Sequence, residues 1–584
     1  MPASALYPKR ARGKRVLWLL MMEWAGHVIR VAEDELDVET EDGQVLHFYP
    51  GLSPLTFAQR LEMGGDASGM GEQPVEMLLP EGISVTELVE LGHDLSAAQV
   101  ELARWIEGTT WESRCVRIEG RATGAEHETD DDPIAFTISA NLADDATMTG
   151  SPATRVLGVN WANADSVPSQ FLGEQYPIII GRPGQVSETV DPSGRVSGGW
   201  ATWIDYRRGT GAEPPNLVEI RALIAGHHVQ VGSVYVCTDD SPGLAYRVRV
   251  ANGHDDQGRP VAFLAWFYDG STDEADHDGL ATYTFYDAGT DIYGLGSNAL
   301  PGSFNGADAK RLYISLVDEA DATAGGLEVD GKLLRDVADV IVWACEQTGR
   351  KVDHGRMRAA AAALSRFKID GVIIERTGIW EWLRDSILPL LPVSLATGPD
   401  GLYAVVWQAG AAGPGDGTFV IDRTLDPRID RASPQRTDDG DRLNRVTVKY
   451  AYRFRTKQYA GSITLGTAAD AAEAADGDVV QVSAACERCR AQLRGEVRER
   501  VIQTAYVYDD STAQAVAESL VDTFAGRRRT VEYVVPEEEF LHVQLGARGN
   551  LVDPDMKIDG ARVQLIGMAI EPDGMRLELL RRDQ

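Results

Sequence analysis

Along most of this chain the apolar residues come in short β-branched or aromatic runs, and a turn signal closes each run before a helix can form. In the middle of the sequence such runs occupy residues 176–180, 229–236, 262–268 and 283–286. They are divided by signals such as Asp191-Pro192-Ser193-Gly194 and Asp269-Gly270. Nearer the start, Ile134, Phe136 and Ile138 alternate with polar or small residues, the pattern of a strand buried on one face. Val100, Leu102 and Ile106 admit two readings. Ser96 with Gln99 would cap a helix, whereas the even spacing favours a strand.

Helical periodicity is clear in only two places. Leu334, Val337, Ile341, Ala344 and Cys345 form one stripe, with Arg335, Asp336, Asp339 and Glu346 facing outward. In the second, Ser511 and Gln514 make a capping box, Ala513, Val516, Leu520 and Phe524 repeat at helical spacing, and Gly526 can end the helix. Strands are expected over 402–407, 445–454, 530–535, 541–545, 563–570 and 575–580, and the Ala/Asp/Glu-rich stretch 468–478 reads as a flexible or helical insertion. The expected fold is mainly β with α+β parts and several domains. A β module covers 1–150, an all-β domain covers 151–325, and a mixed region with helices covers 326–584.

The charge is lopsided: 56 Lys and Arg stand against 89 Asp and Glu, a formal net of −33. A surface that grips DNA needs basic stripes to displace counterions, so this balance argues against one. It fits a surface that repels DNA, or one that only needs solubility, the simpler reading. The start of the chain imitates a signal peptide, with Lys9, Arg10, Arg12, Lys14 and Arg15 before an apolar run over 16–22. Glu23 breaks that run and no small-residue cleavage site follows. It is too short to span a bilayer, so a first β-strand behind a basic arm is expected, without stable membrane insertion.

Five cysteines, an odd number, suit folding in a reducing cytoplasm. Cys486 and Cys489 have the CxxC spacing of a zinc or iron–sulfur half-site, but no second pair lies near them in sequence. Cys115, Cys237 or Cys345 would join only through the fold, and the plainer expectation is inert thiols. Asp273, Glu274, Asp276, His277 and Asp278 have the oxygen chemistry of a calcium loop without its glycine and terminal glutamate. They read as a solvated acidic loop, as do Asp553 and Asp555. Gly294 and Gly296 lack the third glycine of a dinucleotide loop, and His227-His228 reads as a satisfied surface pair. No nucleophile elbow, zinc-binding HExxH helix or P-loop is present, so no catalytic residue and no cofactor is assigned. Trp161, Trp200, Trp203, Trp266, Tyr268, Tyr283 and Tyr286 would suit a sugar platform, although core or subunit packing is the commoner use of such residues.

Several motifs carry a family resemblance. Near the C-terminus these are the capped helix over 511–524, the segment Arg527-Arg528-Arg529-Thr530-Val531-Glu532-Tyr533, and Leu545-Gly546 with Val552-Asp553-Pro554. A Val-x-Leu-Ile-Gly strand over 563–567 and a last strand ending Leu577-Glu578-Leu579 complete them. Upstream stand Ile379-Trp380-Glu381-Trp382-Leu383 leading to Leu391-Pro392, and Arg442-Leu443-Asn444-Arg445-Val446-Thr447-Val448. This pattern resembles phage tail-tip and baseplate-hub proteins. The first region resembles another tail-tip module through Tyr49-Pro50-Gly51-Leu52, Glu107-Gly108-Thr109-Thr110-Trp111-Glu112 and Asp132-Pro133-Ile134-Ala135-Phe136, followed by Tyr176-Pro177-Ile178-Ile179-Ile180-Gly181. The middle region departs most.

The resemblance implies a virion protein at the distal end of the tail, assembled in the host cytoplasm. It implies tail-tube-like β-barrels that close a homotrimer into a pseudo-sixfold ring, with the middle domain as an insertion. Expected partners are the tail tube or distal tail protein, the tape-measure protein and a central fibre or spike. DNA would pass through the lumen without specific binding. No enzymatic activity comes with it. The rival readings are a tail-associated cell-wall hydrolase or peptidase, separable by a cell-wall digestion assay, and a glycan- or receptor-binding tail protein, separable by glycan binding.

Overall fold

The structure is a computed structural model. It describes residues 14–61, 72–126, 132–140, 177–183, 201–202, 204–208, 217–229, 233–238, 246–254, 260–269, 284–285, 312–315, 325–348, 350–373, 378–398, 401–407, 419–434, 436–438, 440–453, 457–474, 480–571 and 574–582. The fold is β-rich and built from several sheets, as the run lengths predict.

The first sheet has eight strands in the order Leu36–Glu39, Val45–Pro50, His27–Ala32, Val16–Trp24, Gln99–Ile106, Cys115–Glu126, Ile134–Ala140 and Glu72–Met77. It curls until the segment after its second strand meets its last strand, leaving Leu36–Glu39 as a free edge. Leu52 bridges Met77, Ser53 N–H donates to the Glu76 carbonyl at 3.0 Å, and Leu78 N–H donates to the Gly51 carbonyl at 2.8 Å. Gly51 sits at this closure with φ +156°, where a Cβ would come within 2.9 Å of the Leu78 carbonyl.

The apolar run that imitates a signal peptide is the strand Val16–Trp24, buried on both faces. Trp18, Leu20, Met22 and Trp24 enter the main core. Leu17 and Leu19 enter a second cluster with Val38, Phe48 and Trp105, under the hairpin formed by Leu36–Glu39 and Val45–Pro50. The period-2 geometry of a strand thus explains a run that looks continuous in sequence. The ambiguous segment is the strand Gln99–Ile106. Its supposed cap instead belongs to a short 3-10 turn, Leu95–Ala97, whose Ser96 N–H is held by Asp94.

The C-terminal sheet runs Phe419–Asp422, Arg548–Asp553, Ile558–Glu571, Gly574–Arg582, Arg528–Val535 and Asp430–Arg431, with Arg436–Asp438 also on Arg528–Val535. Its eighth strand comes from the first region: Phe57–Arg60 pairs antiparallel with the C-terminal end of Ile558–Glu571, Arg60 opposite Gly567 and Phe57 opposite Ile570. A four-stranded sheet, Val480–Val482, Gln458–Gly466, Arg445–Arg453 and Glu499–Gln503, packs against the helix Asp510–Phe524. The cap of that helix lies two residues before the expected one: Asp509 accepts from Thr512 N–H and also from the Ser511 hydroxyl. The run 541–545 is not a strand. Pro536 opens a short helix, Glu537–Phe540, and the residues after it turn into the core, with the Leu541 carbonyl taken by Arg117 at 2.9 Å rather than by a strand ladder.

The middle sheet contains Leu217–Ala225, Ser233–Thr238, Tyr246–His254 and Pro260–Asp269, with four shorter strands. The chain enters this region through Ile178–Ile180, paired with Gly371–Ile373, and leaves it beside the same strand. Gly326 N–H donates to the Gly181 carbonyl and Leu327 N–H to the Ile179 carbonyl, both at 2.8 Å. Among the described residues no helix is long and apolar enough to cross a membrane.

Candidate functional site: the seam between sheets and its polar anchors

The seam between the first sheet and the C-terminal sheet combines backbone pairing with buried charge. Beyond the pairing of Phe57–Arg60, Leu61 N–H donates to the Ile566 carbonyl at 2.7 Å and Arg60 reaches Glu578 at 2.9 Å. Arg104, buried on Gln99–Ile106, grips Glu537 through Nε at 2.6 Å and through Nη2, and its guanidinium lies 4.7 Å from the Trp18 ring centre. Cys115 and Arg117, on the next strand, both address the Leu541 carbonyl. A bidentate pair at this depth fixes register and orientation, because either ion alone would be left desolvated. A cavity of about 340 Å³ opens beside it, lined in part by Arg15, Glu33, Arg104 and Glu571. Two arginines and two glutamates line it.

Asp553 is fully buried, so its reading as part of a solvated loop is corrected. The Tyr533 hydroxyl donates to Oδ2 at 2.8 Å, Arg423 Nη1 to Oδ1 at 3.1 Å, and Arg431 stands at 3.5 Å. Burial pushes the Asp553 carboxyl up, but the hydroxyl and the two arginines outweigh it, and the acid ends below its usual range. Burial and Asp553 together push the Tyr533 phenol up. Asp555, two residues on, is exposed and also meets Arg423. Calcium would have to displace these donors.

A second anchor explains the motif 442–448. Asn444, buried just before the strand Arg445–Arg453, accepts from Arg490 Nε at 3.1 Å and Arg498 N–H at 3.0 Å and donates to the Glu496 carbonyl at 2.8 Å. Arg442 donates to Gln492 Oε1 at 2.6 Å and to the Ala525 carbonyl at 3.0 Å. Arg490 also holds Asp470 bidentately at 2.8 and 2.9 Å, while Thr467 and Asp470 form a capping box for the helix Ala468–Glu473. This helix settles the described part of 468–478.

Cys486 and Cys489 lie one turn apart on the helix Ala484–Gln492, both buried, and burial pushes the Cys486 thiol up to about 11. Cys115 and Cys345 are free and buried in other elements. Among the described residues no group of three or more His, Cys, Asp or Glu is placed to hold a metal. His227 is not part of a surface pair: it is 8 % exposed, Nε2 accepts from Ile179 N–H at 3.0 Å, and Nδ1 lies 2.8 Å from the His228 carbonyl. That geometry requires the neutral ring with its proton on Nδ1, and burial lowers its pKa to about 4. Sequence reasoning missed Arg104 and Glu537 and misplaced His227 at the surface. Of the two missed residues, Arg104 alone left a trace, a lone charge inside an apolar run.

Trp266 and Tyr268 lie on the strand Pro260–Asp269. Trp161, Trp200, Trp203, Tyr283 and Tyr286, the cluster 273–278, and Gly294 and Gly296 lie outside the described residues.

No protein-family model and no curated protein matches the chain. Several solved structures do. The 43 kDa tail protein of prophage MuSo2 from Shewanella oneidensis is 9% identical, covering 96% of this chain and 98% of that one at a TM-score of 0.32. The tail protein from Neisseria meningitidis MC58 is 9% identical over 97% and 96%, at 0.31. A chain of the native gene transfer agent virion is 11% identical over 75% and 88%, at 0.34.

Proposed function

We propose that this chain is a structural hub of a phage tail tip, three copies of which close a ring between the tail tube and a tip fibre or spike. The observation that carries the reading is the strand Phe57–Arg60, which leaves the curled first sheet and completes the C-terminal sheet. One chain thereby contributes two eight-stranded sheets in a fixed relation, which supports a threefold ring that presents six elements. The sequence patterns around Asn444, the helix Asp510–Phe524 and the last two strands support the same reading. The middle sheet is proposed as an insertion, supported by the hydrogen bond between its entry and exit segments at Gly326 and Gly181. The excess of 33 negative charges suits a lumen that lets DNA slide without binding it. Reconstruction of the tail tip from the parent particle tests the reading. Three copies in one ring at the distal end are expected; one copy, six copies, or absence from the tail would overturn it.

A further inference from the structure

One element reverses the charge of the whole molecule. Between Asp441 and Asp470 the sequence has six Lys or Arg and no Asp or Glu, in a chain whose net charge is −33. Most of that stretch is the hairpin Arg445–Arg453 with Gln458–Gly466. One face of its sheet packs on the helix Asp510–Phe524; on the other, Lys449 lies opposite Ser462 and beside Gln503. Val482 and Val501 are also exposed on this sheet. Toward the tip, Tyr452 and Tyr459 stand 5.2 Å apart between Arg453 and Lys457. Among the described residues Lys449, Arg453 and Lys457 form no ion pair, whereas Arg442 and Arg445 are engaged with their own module.

The opposite sign is concentrated elsewhere in the chain. Residues 31–59 hold seven carboxylates, from Glu33 to Asp42, and no Lys or Arg. They centre on Leu36–Glu39, the terminal strand of the first sheet, where Glu35, Asp37 and Glu39 are exposed. An edge strand of one sign cannot pair with a copy of itself, but it accepts a partner of the other sign.

We propose that the basic hairpin is a docking arm for the acidic edge of the first sheet on a second copy of this chain. The contact is head-to-tail: each copy offers one hairpin and one edge, and such contacts close into a ring when the rotation allows. A second copy suits the hairpin better than DNA does, because the chain as a whole carries a net −33 and the three unpaired cations among the hairpin's described residues displace few counterions. The proposal takes its biological setting from the ring reading but rests on these two surfaces. A chain absent from any tail would still associate through them, and a tail ring built through other surfaces would leave them idle.

Sedimentation of the full chain tests it. Wild type should associate at tens of micromolar in low salt and dissociate as salt rises. The triple variant Lys449→Glu, Arg453→Glu, Lys457→Glu should weaken association at least about tenfold, and so should Glu35→Lys, Asp37→Lys, Glu39→Lys. Mixing the two variants should restore association between unlike chains, because each hairpin then meets an edge of the opposite sign, while an odd ring keeps one like-signed contact. A neutral set, Lys449→Gln, Arg453→Gln, Lys457→Gln, replaces the reversed hairpin if circular dichroism finds that variant unfolded. A wild type that stays monomeric in low salt, a hairpin variant that associates normally, or a mixture that does not recover would overturn the proposal. So would hairpin-dependent binding of duplex DNA with self-association unchanged.

Discussion

His227 holds the entry strand of the middle region only while its ring is neutral, because Nε2 must accept the Ile179 N–H. Its pKa of about 4 lies below the ordinary 6.5, so between those values the unfolded chain binds more protons than the folded one. Its contribution is therefore complete above pH 6.5 and is lost as pH falls toward 4. At 1.36 kcal/mol per unit, its full size is about 3 kcal/mol. Glutamine at this position can still accept from Ile179 but does not titrate. The stability advantage of wild type over His227→Gln, measured by denaturant unfolding, should shrink between pH 7 and pH 4.5; a constant difference would show that the ring is not buried as described. Asp553 carries the complementary lesson. A carboxylate beside Asp555 and a proline looks solvated in sequence, and what buries it is Tyr533, twenty residues away, together with Arg423 and Arg431 from a different segment.

At the scale of elements, local pattern was a good guide wherever a segment's environment is set by its own periodicity. The strand Gln99–Ile106 and the helix Asp510–Phe524 follow from even or helical spacing, and the strand Val16–Trp24 from an apolar run broken by Glu23 and too short to span a bilayer. Segment 541–545 misled because its apolar side chains are buried without ladder partners, and its backbone is satisfied by side chains such as Arg117. The strand Phe57–Arg60 carries no local mark of its destination, since it pairs with residues some five hundred positions away. Its contribution can be isolated. The Leu61 N–H bond to Ile566 and antiparallel alternation place Gln59 N–H on the Met568 carbonyl. Gln59→Pro removes that donor and should cost about 1–3 kcal/mol by leaving the Met568 carbonyl unsatisfied, whereas Gln59→Ala keeps it. Hydrogen exchange in the proline variant should accelerate more over 558–571 than over 445–453. Equal exchange in the two variants would mean the strand is dispensable.

The whole molecule behaves as its core dictates. A single cluster of buried residues runs from Trp18 in the first sheet through Val337 and Ile341 to Leu579 in the last strand, joining the first region to the third. The strand Phe57–Arg60 crosses that boundary, and so does the ion pair of Arg104 with Glu537, whose side chains are 7% and 10% exposed. A buried pair contributes little net stability compared with apolar packing, but breaking it strands a charge at a cost of about 3–5 kcal/mol. If the first sheet and the C-terminal sheet were separate folding units, that cost would fall on a docking equilibrium and leave each sheet's own unfolding midpoint unchanged. With one continuous core it must fall on both sheets together. Glu537→Gln, followed by hydrogen exchange across a denaturant series, should therefore lower the midpoints of the strands Val16–Trp24 and Ile558–Glu571 by the same amount, and the two should coincide in wild type. Separate midpoints, or a shift confined to one strand, would divide the molecule where the sequence boundary near residue 150 first suggests a division.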